Sequence, residues 1–389
     1  MSKVLFYLPA NTRHSNVQAG KRREYIENIG AWLNTLRGAG FPVSTSFQRD
    51  CLDLLGLTEK DFDGIELLSA PGNHLLPSRF EKHPTMKHHA RAMLRDAAVV
   101  GNVPGYFMPE FDIPRTDLLA PGFQILFALP GQTVLYSECS TSDVERGTPL
   151  ENYEAIRFLG DKVVVPMLGV EGMQKAFFLW QRFKTTENLA ALLAEIRKVT
   201  EDGEDRVRVF FLDLEAPLVG SHHGLDIWRE LFAAIVQSGL AEHFVSFHEA
   251  AAHWQSRAVK IEGPTWTLFA RQLGTKWTGL QPQMDYLDRV MLAEPPRTLA
   301  EHKWLAFCST SDILSAMDRK LRGNIVIDGD LGKLTIGYDQ TIMDLAFKML
   351  DAYEHGMSSV ATLRGLLLVD SDAQWFVNRC VDTLKRYGF

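Results

Sequence analysis

Two carboxylates, Asp213 and Glu215, lie directly after a strongly apolar segment of this 389-residue chain. The segment, residues 207–212, is β-branched and aromatic, which predicts a buried strand. A loop follows it, and a helical pattern begins near Asp226. Acids at the carboxyl end of a strand, with a loop and a helix after them, are typical of the catalytic edge of a β/α barrel. The same pattern also fits an Asp213 that caps structure and a Glu215 that is solvated at the strand end.

Two other predicted strands also end in polar groups. His74 follows residues 64–69, and Glu110 follows residues 103–107. The carboxyl ends of parallel strands meet on one face of a barrel, so we expect these side chains to approach Asp213 and Glu215. Paired carboxylates suit glycoside hydrolysis, in which one stabilises or attacks the anomeric carbon and the other protonates the leaving oxygen. Nearby aromatic residues could stack on sugars, although such residues belong more often to a core.

Hydrophobic periodicity divides the chain into two regions. Up to about residue 260, strands alternate with helices, which predicts a parallel β/α architecture of about seven strands. Beyond residue 263 the patterns are helical, apart from residues 324–336, where an Asp-Gly turn predicts a hairpin. We therefore expect an α/β chain with a barrel over residues 1–262 and a helical domain over residues 263–389 that packs on the barrel rim.

Composition excludes several classes of protein. The chain is 46% hydrophobic and 23% charged, with a formal net charge of −7, which gives no electrostatic reason to expect a nucleic-acid partner. No apolar run reaches the roughly 18 residues of a membrane span, and the apolar N-terminal stretch is too short for a signal peptide. The four cysteines are far apart and form no CxxC pair, unlike a disulfide framework or a thiolate zinc site. A cytoplasmic protein without a membrane partner is expected.

Histidines raise the alternative of a metal site. The candidate ligands, together with Asp213, are His74, His88, His89, His222 and His223. No HxxxH or HxD pattern occurs where a predicted strand meets its loop, and His88 and His89, adjacent on a predicted helix, cannot both face one ion. The sequence contains no G-x-S-x-G, no G-x-G-x-x-G and no P-loop, so serine nucleophiles and nucleotide cofactors are not expected. We predict neither a metal nor a cofactor.

Several short motifs resemble those of glycoside hydrolase family 57, in its α-amylase-like branch. Residues 64–77, GIELLSAPGNHLLP, are similar to the family's strand and functional-histidine loop, which places that histidine on His74. Residues 105–113, GYFMPEFDI, are similar to the stretch that supplies a substrate-contacting glutamate, here Glu110. Residues 211–220, FLDLEAPLVG, resemble the nucleophile segment and place the nucleophile on Glu215.

The resemblance extends to the second region and implies a fold. Residues 304–312, WLAFCSTSD, and the stretch through residues 338–339 are similar to the family's helical domain. The implied fold is an incomplete (β/α)7 barrel with a helical C-terminal domain, in agreement with the periodicity.

Two positions depart from the family's pattern. The first strand of the family usually carries His-Gln-Pro, whereas this chain has Tyr7-Leu8-Pro9. The family's general acid is an aspartate shortly after a Ser-Trp pair, and the matching position in residues 265–272, TWTLFARQ, is Gln272. An amide cannot donate a proton to a leaving group as a carboxylic acid does. Asp285, Asp288 and Asp312 are nearby in sequence and could substitute.

The resemblance implies a carbohydrate-active enzyme that hydrolyses or transfers α-linked glucan or a small glycoside with retention. Glu215 is the expected nucleophile, with Asp213 beside it and a carbohydrate as the partner. The expected substrate-binding residues are His74, Glu110, His222, Trp266, Arg271, Gln272 and Asp312. Two alternatives stay open: a sugar-binding barrel that has lost the acid, and a metal-assisted sugar deacetylase.

Overall fold

The computed structural model of the chain describes residues 2–10, 27–71, 94–95, 97–98, 101–103, 105–107, 124–129, 157–159, 162–169, 171–203, 207–215, 217, 224–254, 259–260, 326–327 and 334–335. Its strands are β1 (Lys3–Ala10), β2 (Ser44–Gln48), β3 (Glu66–Ala70), β4 (Gly105–Phe107), β5 (Gln124–Leu129), β6 (Arg157–Leu159), β7 (Lys162–Gly169), β8 (Val207–Phe211), β9 (Phe244–Val245), β10 (Val259–Lys260), β11 (Val326–Ile327) and β12 (Leu334–Thr335). The α-helices are α1 (Ile29–Arg37), α2 (Arg49–Leu55), α3 (Glu171–Phe183), α4 (Thr186–Thr200), α5 (Asp226–Gln237) and α6 (Phe247–Trp254).

Seven of the described strands form a parallel ring in the order β8, β1, β2, β3, β4, β5, β7. The pairing of β1 with β8 extends over five residue pairs, from Lys3 opposite Val207 to Tyr7 opposite Phe211. The ring closes between β7 and β8 through only two residue pairs, Leu168 with Arg208 and Gly169 with Val209. All seven carboxyl ends therefore lie on one side, and the predicted incomplete (β/α)7 barrel is confirmed.

The pairing of β7 with β6 explains why β7 and β8 share only two residue pairs. Its first residues pair antiparallel with β6, as Lys162 does with Leu159, and only its last two residues reach β8. The strand β6 in turn pairs with β10. Neither β6 nor β10 was expected from the sequence, because segments of three and two residues are too short to give a period-two pattern.

The main apolar core lies between the strands and the helices outside them. In β1 the even-numbered residues, such as Phe6, belong to this core together with residues of α1, α3 and α5. The ring of Phe6 stacks on Phe210 of β8 at 4.5 Å between centroids, and Phe177 of α3 stacks on Trp228 of α5 at 4.9 Å. The outer face of β1 and β8 is therefore fixed to the helix layer, which leaves the opposite face to line the barrel interior.

The helical spacing over residues 176–199 predicts one long helix, but the structure has two helices in this region. The pattern over residues 176–199 continues across Lys184, but that residue adopts φ = 50°. A lysine in the left-handed region ends α3. The side chain of Thr185 then accepts a hydrogen bond from the Asn188 amide at 3.2 Å and caps α4. Periodicity alone does not reveal such a break, because the apolar spacing is kept on both sides.

The second region is described only in part. Strands β11 and β12 pair antiparallel, Val326 with Thr335 and Ile327 with Leu334, which confirms the predicted hairpin. The boundary expected at residues 262/263 and the helices expected after it lie outside the described residues. Among the helices that the structure describes, none is both long enough and apolar enough to cross a lipid bilayer.

A partly buried carboxylate lies at the amino ends of the barrel strands. Glu66 of β3 accepts hydrogen bonds from the backbone amides of Phe247, at 2.6 Å, and His248, at 2.9 Å, at the start of α6. It also accepts one from the Ser44 hydroxyl. Burial raises the pKa of Glu66, although these hydrogen bonds and the nearby His248 oppose the shift. Since this cluster lies at the end opposite Asp213, we assign it to stability.

The raised pKa of Glu66 predicts a pH dependence of stability. A carboxyl whose folded-state pKa lies above its unfolded value, about 4.3, contributes stability below that value and loses it as the pH rises through the folded pKa. Between about pH 4 and pH 7, the melting temperature of the wild type should therefore fall relative to that of Glu66→Gln. Glu59→Gln, at an exposed residue, controls for the loss of one carboxylate. A wild type that gains stability over Glu66→Gln across this range would contradict the assignment.

Candidate functional site

The ladder between β1 and β8 continues beyond the last residue of β8. The amide of Leu212 donates to the carbonyl of Tyr7 at 3.3 Å, and the amide of Leu214 donates to the carbonyl of Pro9 at 2.8 Å. The chain therefore remains extended beside β1 up to Leu214. The parallel pairing with β1 therefore places Asp213 and its neighbours at the carboxyl edge of the barrel.

Strand alternation decides which side chains face the interior. Phe210, Leu212 and Leu214 belong to the outer core. Phe211 faces the other way and stacks on Tyr7 of β1, with 5.7 Å between ring centroids. Asp213 follows Phe211 on this inner side by the two-residue period of an extended chain.

The two predicted carboxylates differ in their exposure. Asp213 is partly buried, whereas Glu215 is only 1% exposed. Both residues interact with further groups. The burial of Glu215 contradicts the alternative of a carboxylate solvated at the strand end. A buried carboxylate has lost its hydration, so its oxygens are held by protein groups rather than by bulk water.

A tryptophan from the next helix anchors this segment. Trp228 of α5 is fully buried, and its indole Nε1–H donates to the carbonyl of Leu214 at 2.7 Å. The backbone amide of Leu214 donates to the carbonyl of Pro9. Leu214 is thus fixed on both sides of its Cα, and the backbone of its neighbours Asp213 and Glu215 is fixed with it.

A buried hydroxyl pair lies beneath Asp213 in the barrel interior. The hydroxyls of Tyr7 on β1 and Ser46 on β2 are 2.6 Å apart and share a hydrogen bond in which either could be the donor. Burial raises the pKa of Tyr7 well above its ordinary value, and the negative charge of Asp213 raises it further, while the bond to Ser46 opposes the shift. The phenol therefore stays protonated at neutral pH and serves as a neutral hydrogen-bond group.

Tyr7, Ser46 and the adjacent Gln48 were not identified from the sequence as site residues. Two signals point to them. Tyr7 occupies the place where the resembled family has its first-strand motif, and the second strand, STSFQ, is polar at every position except Phe47. A strand so polar indicates that at least one of its faces does not belong to the apolar core.

Most of the predicted site residues lie outside the described residues. These are His74, Glu110, His222, Trp266, Arg271, Gln272 and Asp312. The structure therefore brings together only Asp213 and Glu215 of the predicted set, and the roles of the others stay predictions. Within the described ranges, no three side chains of His, Cys, Asp or Glu come together as metal ligands.

Comparisons with known proteins give remote structural likenesses only. No family model matches the chain, and no curated protein matches it. A 4-alpha-glucanotransferase from Thermococcus litoralis is 14% identical, with a TM-score of 0.47, over 83% of this chain and 56% of that one. The GH57-type branching enzyme from Pyrococcus horikoshii is 10% identical, with a TM-score of 0.49, over 99% and 96%. A protein from Mycobacterium smegmatis, provisionally described as a polysaccharide deacetylase, is 14% identical, with a TM-score of 0.42, over 67% and 94%.

These likenesses do not decide between activities. The three named proteins differ in chemistry, and the chain spans little more than half the length of the glucanotransferase. The assignment of a barrel rests instead on the strand pairings of this chain, and the assignment of a site rests on its own side chains.

The anchoring of Leu214 predicts the effect of one conservative change. Trp228→Phe keeps an aromatic ring in the core but removes the Nε1–H donor, and leaves a buried carbonyl unpaired. The free energy of unfolding should fall by about 1–3 kcal/mol, and hydrogen exchange of the Leu214 amide should become faster. The measurement is chemical denaturation combined with hydrogen exchange.

Trp180→Phe makes the same change at another buried tryptophan, on α3. It should leave exchange at Leu214 as it is in the wild type. Equal acceleration in both variants would show that the indole bond does not hold the strand end.

Proposed function

We propose that the chain is a carbohydrate-active enzyme similar to glycoside hydrolase family 57, which acts on α-linked glucan or a small glycoside with retention of configuration. Glu215 is the nucleophile and Asp213 supports it. The chief support is the pair of carboxylates that the β1–β8 ladder holds at the carboxyl edge of the barrel, where barrel enzymes have their active sites.

The proposed chemistry has two displacements. A carboxylate oxygen of Glu215 attacks the anomeric carbon while the bond from that carbon to the leaving oxygen breaks, and the leaving oxygen takes a proton from a general acid. Water or a sugar hydroxyl then attacks the glycosyl ester, gives its proton to the same group and releases Glu215. Hydrolysis and transfer share the first step and differ only in the acceptor. Each displacement inverts the anomeric centre, so the product retains its configuration.

The environment of Asp213 suits a supporting role. Positive charge develops at the anomeric centre in the transition state, and fixed carboxylates placed beside it are stabilising because their orientation is set in advance. Asp213 is near enough to the Tyr7 hydroxyl to raise the pKa of that phenol. The protonated phenol and Ser46 add no charge that would compete with a cationic transition state.

The general acid is unassigned. The matching position is Gln272, and the nearby candidates Asp285, Asp288 and Asp312 also lie outside the described residues. A substrate whose leaving group departs without protonation removes the need for this acid in the first displacement, so release of the leaving group tests Glu215 even where the second displacement is slow. 4-Nitrophenyl α-glucoside meets this condition, because nitrophenolate is a stable anion.

The role of Glu215 can be tested by removal and replacement. Glu215→Ala should lower kcat on 4-nitrophenyl α-glucoside by about 1,000-fold or more. Azide should restore turnover and give β-glucosyl azide, because a single displacement inverts the anomeric centre. The measurement is nitrophenolate release together with product stereochemistry. Glu230→Gln on the exposed face of α5 is the control and should behave as the wild type.

Two outcomes would contradict the proposal. Full activity of Glu215→Ala would show that Glu215 is not the nucleophile. A wild type that binds maltotriose in calorimetry but turns over no activated glucoside would favour the sugar-binding barrel, which the amide at position 272 suggests.

A further inference from the structure

The inner face of β2 presents a row of three polar side chains. Ser44 bonds to Glu66 at the amino end, and Ser46 bonds to Tyr7 in the middle. Phe47, on the opposite face, belongs to the outer core. By the same alternation, Gln48 at the carboxyl end is on the inner face with Ser44 and Ser46. The row thus leads from the structural cluster around Glu66 to the edge where Asp213 and Glu215 lie.

Gln48 differs from the two serines because its amide oxygen is unsatisfied. The side chain is 5% exposed, and its Oε1 has no hydrogen-bond partner among the residues that the structure describes. Gln48 also precedes α2, yet its side chain makes no capping bond to that helix. Buried polar atoms are nearly always hydrogen-bonded, so the partner of this oxygen is a group that the structure does not contain, either an ordered water or a ligand.

The position of Gln48 in the barrel specifies where that partner lies. The strand order β8, β1, β2 separates Gln48 from the carboxylate segment by one intervening strand, or about 10 Å at the usual spacing of neighbouring strands. The intervening strand contributes Tyr7 and Pro9 on its inner side. Gln48 and the carboxylate segment are therefore on strands on either side of the one that holds Tyr7.

We propose that Gln48 is a substrate-contacting residue that binds hydroxyl groups of the sugar unit held against Asp213 and Glu215. This inference rests on the proposed function. A carboxamide both donates and accepts hydrogen bonds, which matches neighbouring hydroxyls of a pyranose, each of which also does both. A sugar hydroxyl that donates to Oε1 supplies the missing partner. The bond also fixes the rotation of the ring relative to the nucleophile, so it contributes to turnover as well as to binding.

The test replaces the amide without changing its length. Gln48→Met keeps an unbranched side chain in the same space and removes both polar groups. The value of kcat/KM on 4-nitrophenyl α-glucoside should fall by about 10- to 100-fold, and the affinity for maltotriose should weaken in calorimetry. The melting temperature should not fall, because an apolar replacement of an unpaired buried amide costs little stability.

Gln181→Met is the matched control. Gln181 is also buried, but it lies on α3 outside the ring of strands and makes contacts there. Its replacement should leave kcat/KM and the affinity for maltotriose unchanged, because Gln181 is remote from the inner face of the strands. The two variants are therefore expected to differ in activity, which only Gln48→Met should lower.

The outcomes separate this inference from the proposed function. An active wild type whose kcat/KM and affinity survive Gln48→Met overturns the role of Gln48 and leaves the role of Glu215 intact. A lower melting temperature without loss of activity shows that Gln48 is only structural and likewise overturns it. A wild type that neither turns over the glucoside nor binds maltotriose overturns the proposed function and the Gln48 inference together. If the wild type binds maltotriose without turnover, the affinity of Gln48→Met for maltotriose, compared with that of the wild type, is still a test of Gln48.

Discussion

The hydrogen bonds of Leu214 hold together the part of the barrel on which the account depends. Its amide extends the ladder to Pro9, and its carbonyl accepts the indole proton of Trp228. Backbone groups in a dry environment must be paired, so these bonds fix both the strand end and the helix that follows it. The backbone of the neighbouring residues Asp213 and Glu215 is therefore fixed as well. A site of this kind needs little reorganisation when a charge develops in front of it.

The outer and inner faces of the barrel strands differ in the side chains that they present. On the outer side, aromatic rings of β1 and β8 pack against α3 and α5 and supply apolar burial. On the inner side, polar side chains come from one residue of β1, Tyr7, from three residues of β2 and from Asp213 after β8. Polar groups inside a barrel are costly unless they are paired. The pairing of Tyr7 with Ser46 meets this requirement, whereas the amide oxygen of Gln48 has no partner among the described residues.

The sequence predicted the strands well because most of them are apolar, but it could not predict which face each residue occupies. In β1, apolar residues fill both faces, so no alternation identifies Tyr7 as an inner residue. In β2 all residues except Phe47 are polar, so the pattern does not show which face is the inner one. Asp213 and Glu215 were selected because they are acids directly after a buried strand, and their catalytic role stays a prediction. The anchor from Trp228 to Leu214 could not be predicted, since a contact between residues 14 positions apart depends on how the helix packs.

The central claim is that Glu215 forms a covalent bond with a sugar. Incubation of the wild type with 5-fluoro α-glucosyl fluoride, followed by intact-mass analysis and peptide mapping, tests it most directly. The good leaving group makes the result independent of the general acid, and the second fluorine slows release of the intermediate. The account predicts one added fluoroglucosyl group on the peptide that contains Glu215. An unmodified protein that still binds sugar, or an adduct on another carboxylate, would contradict it.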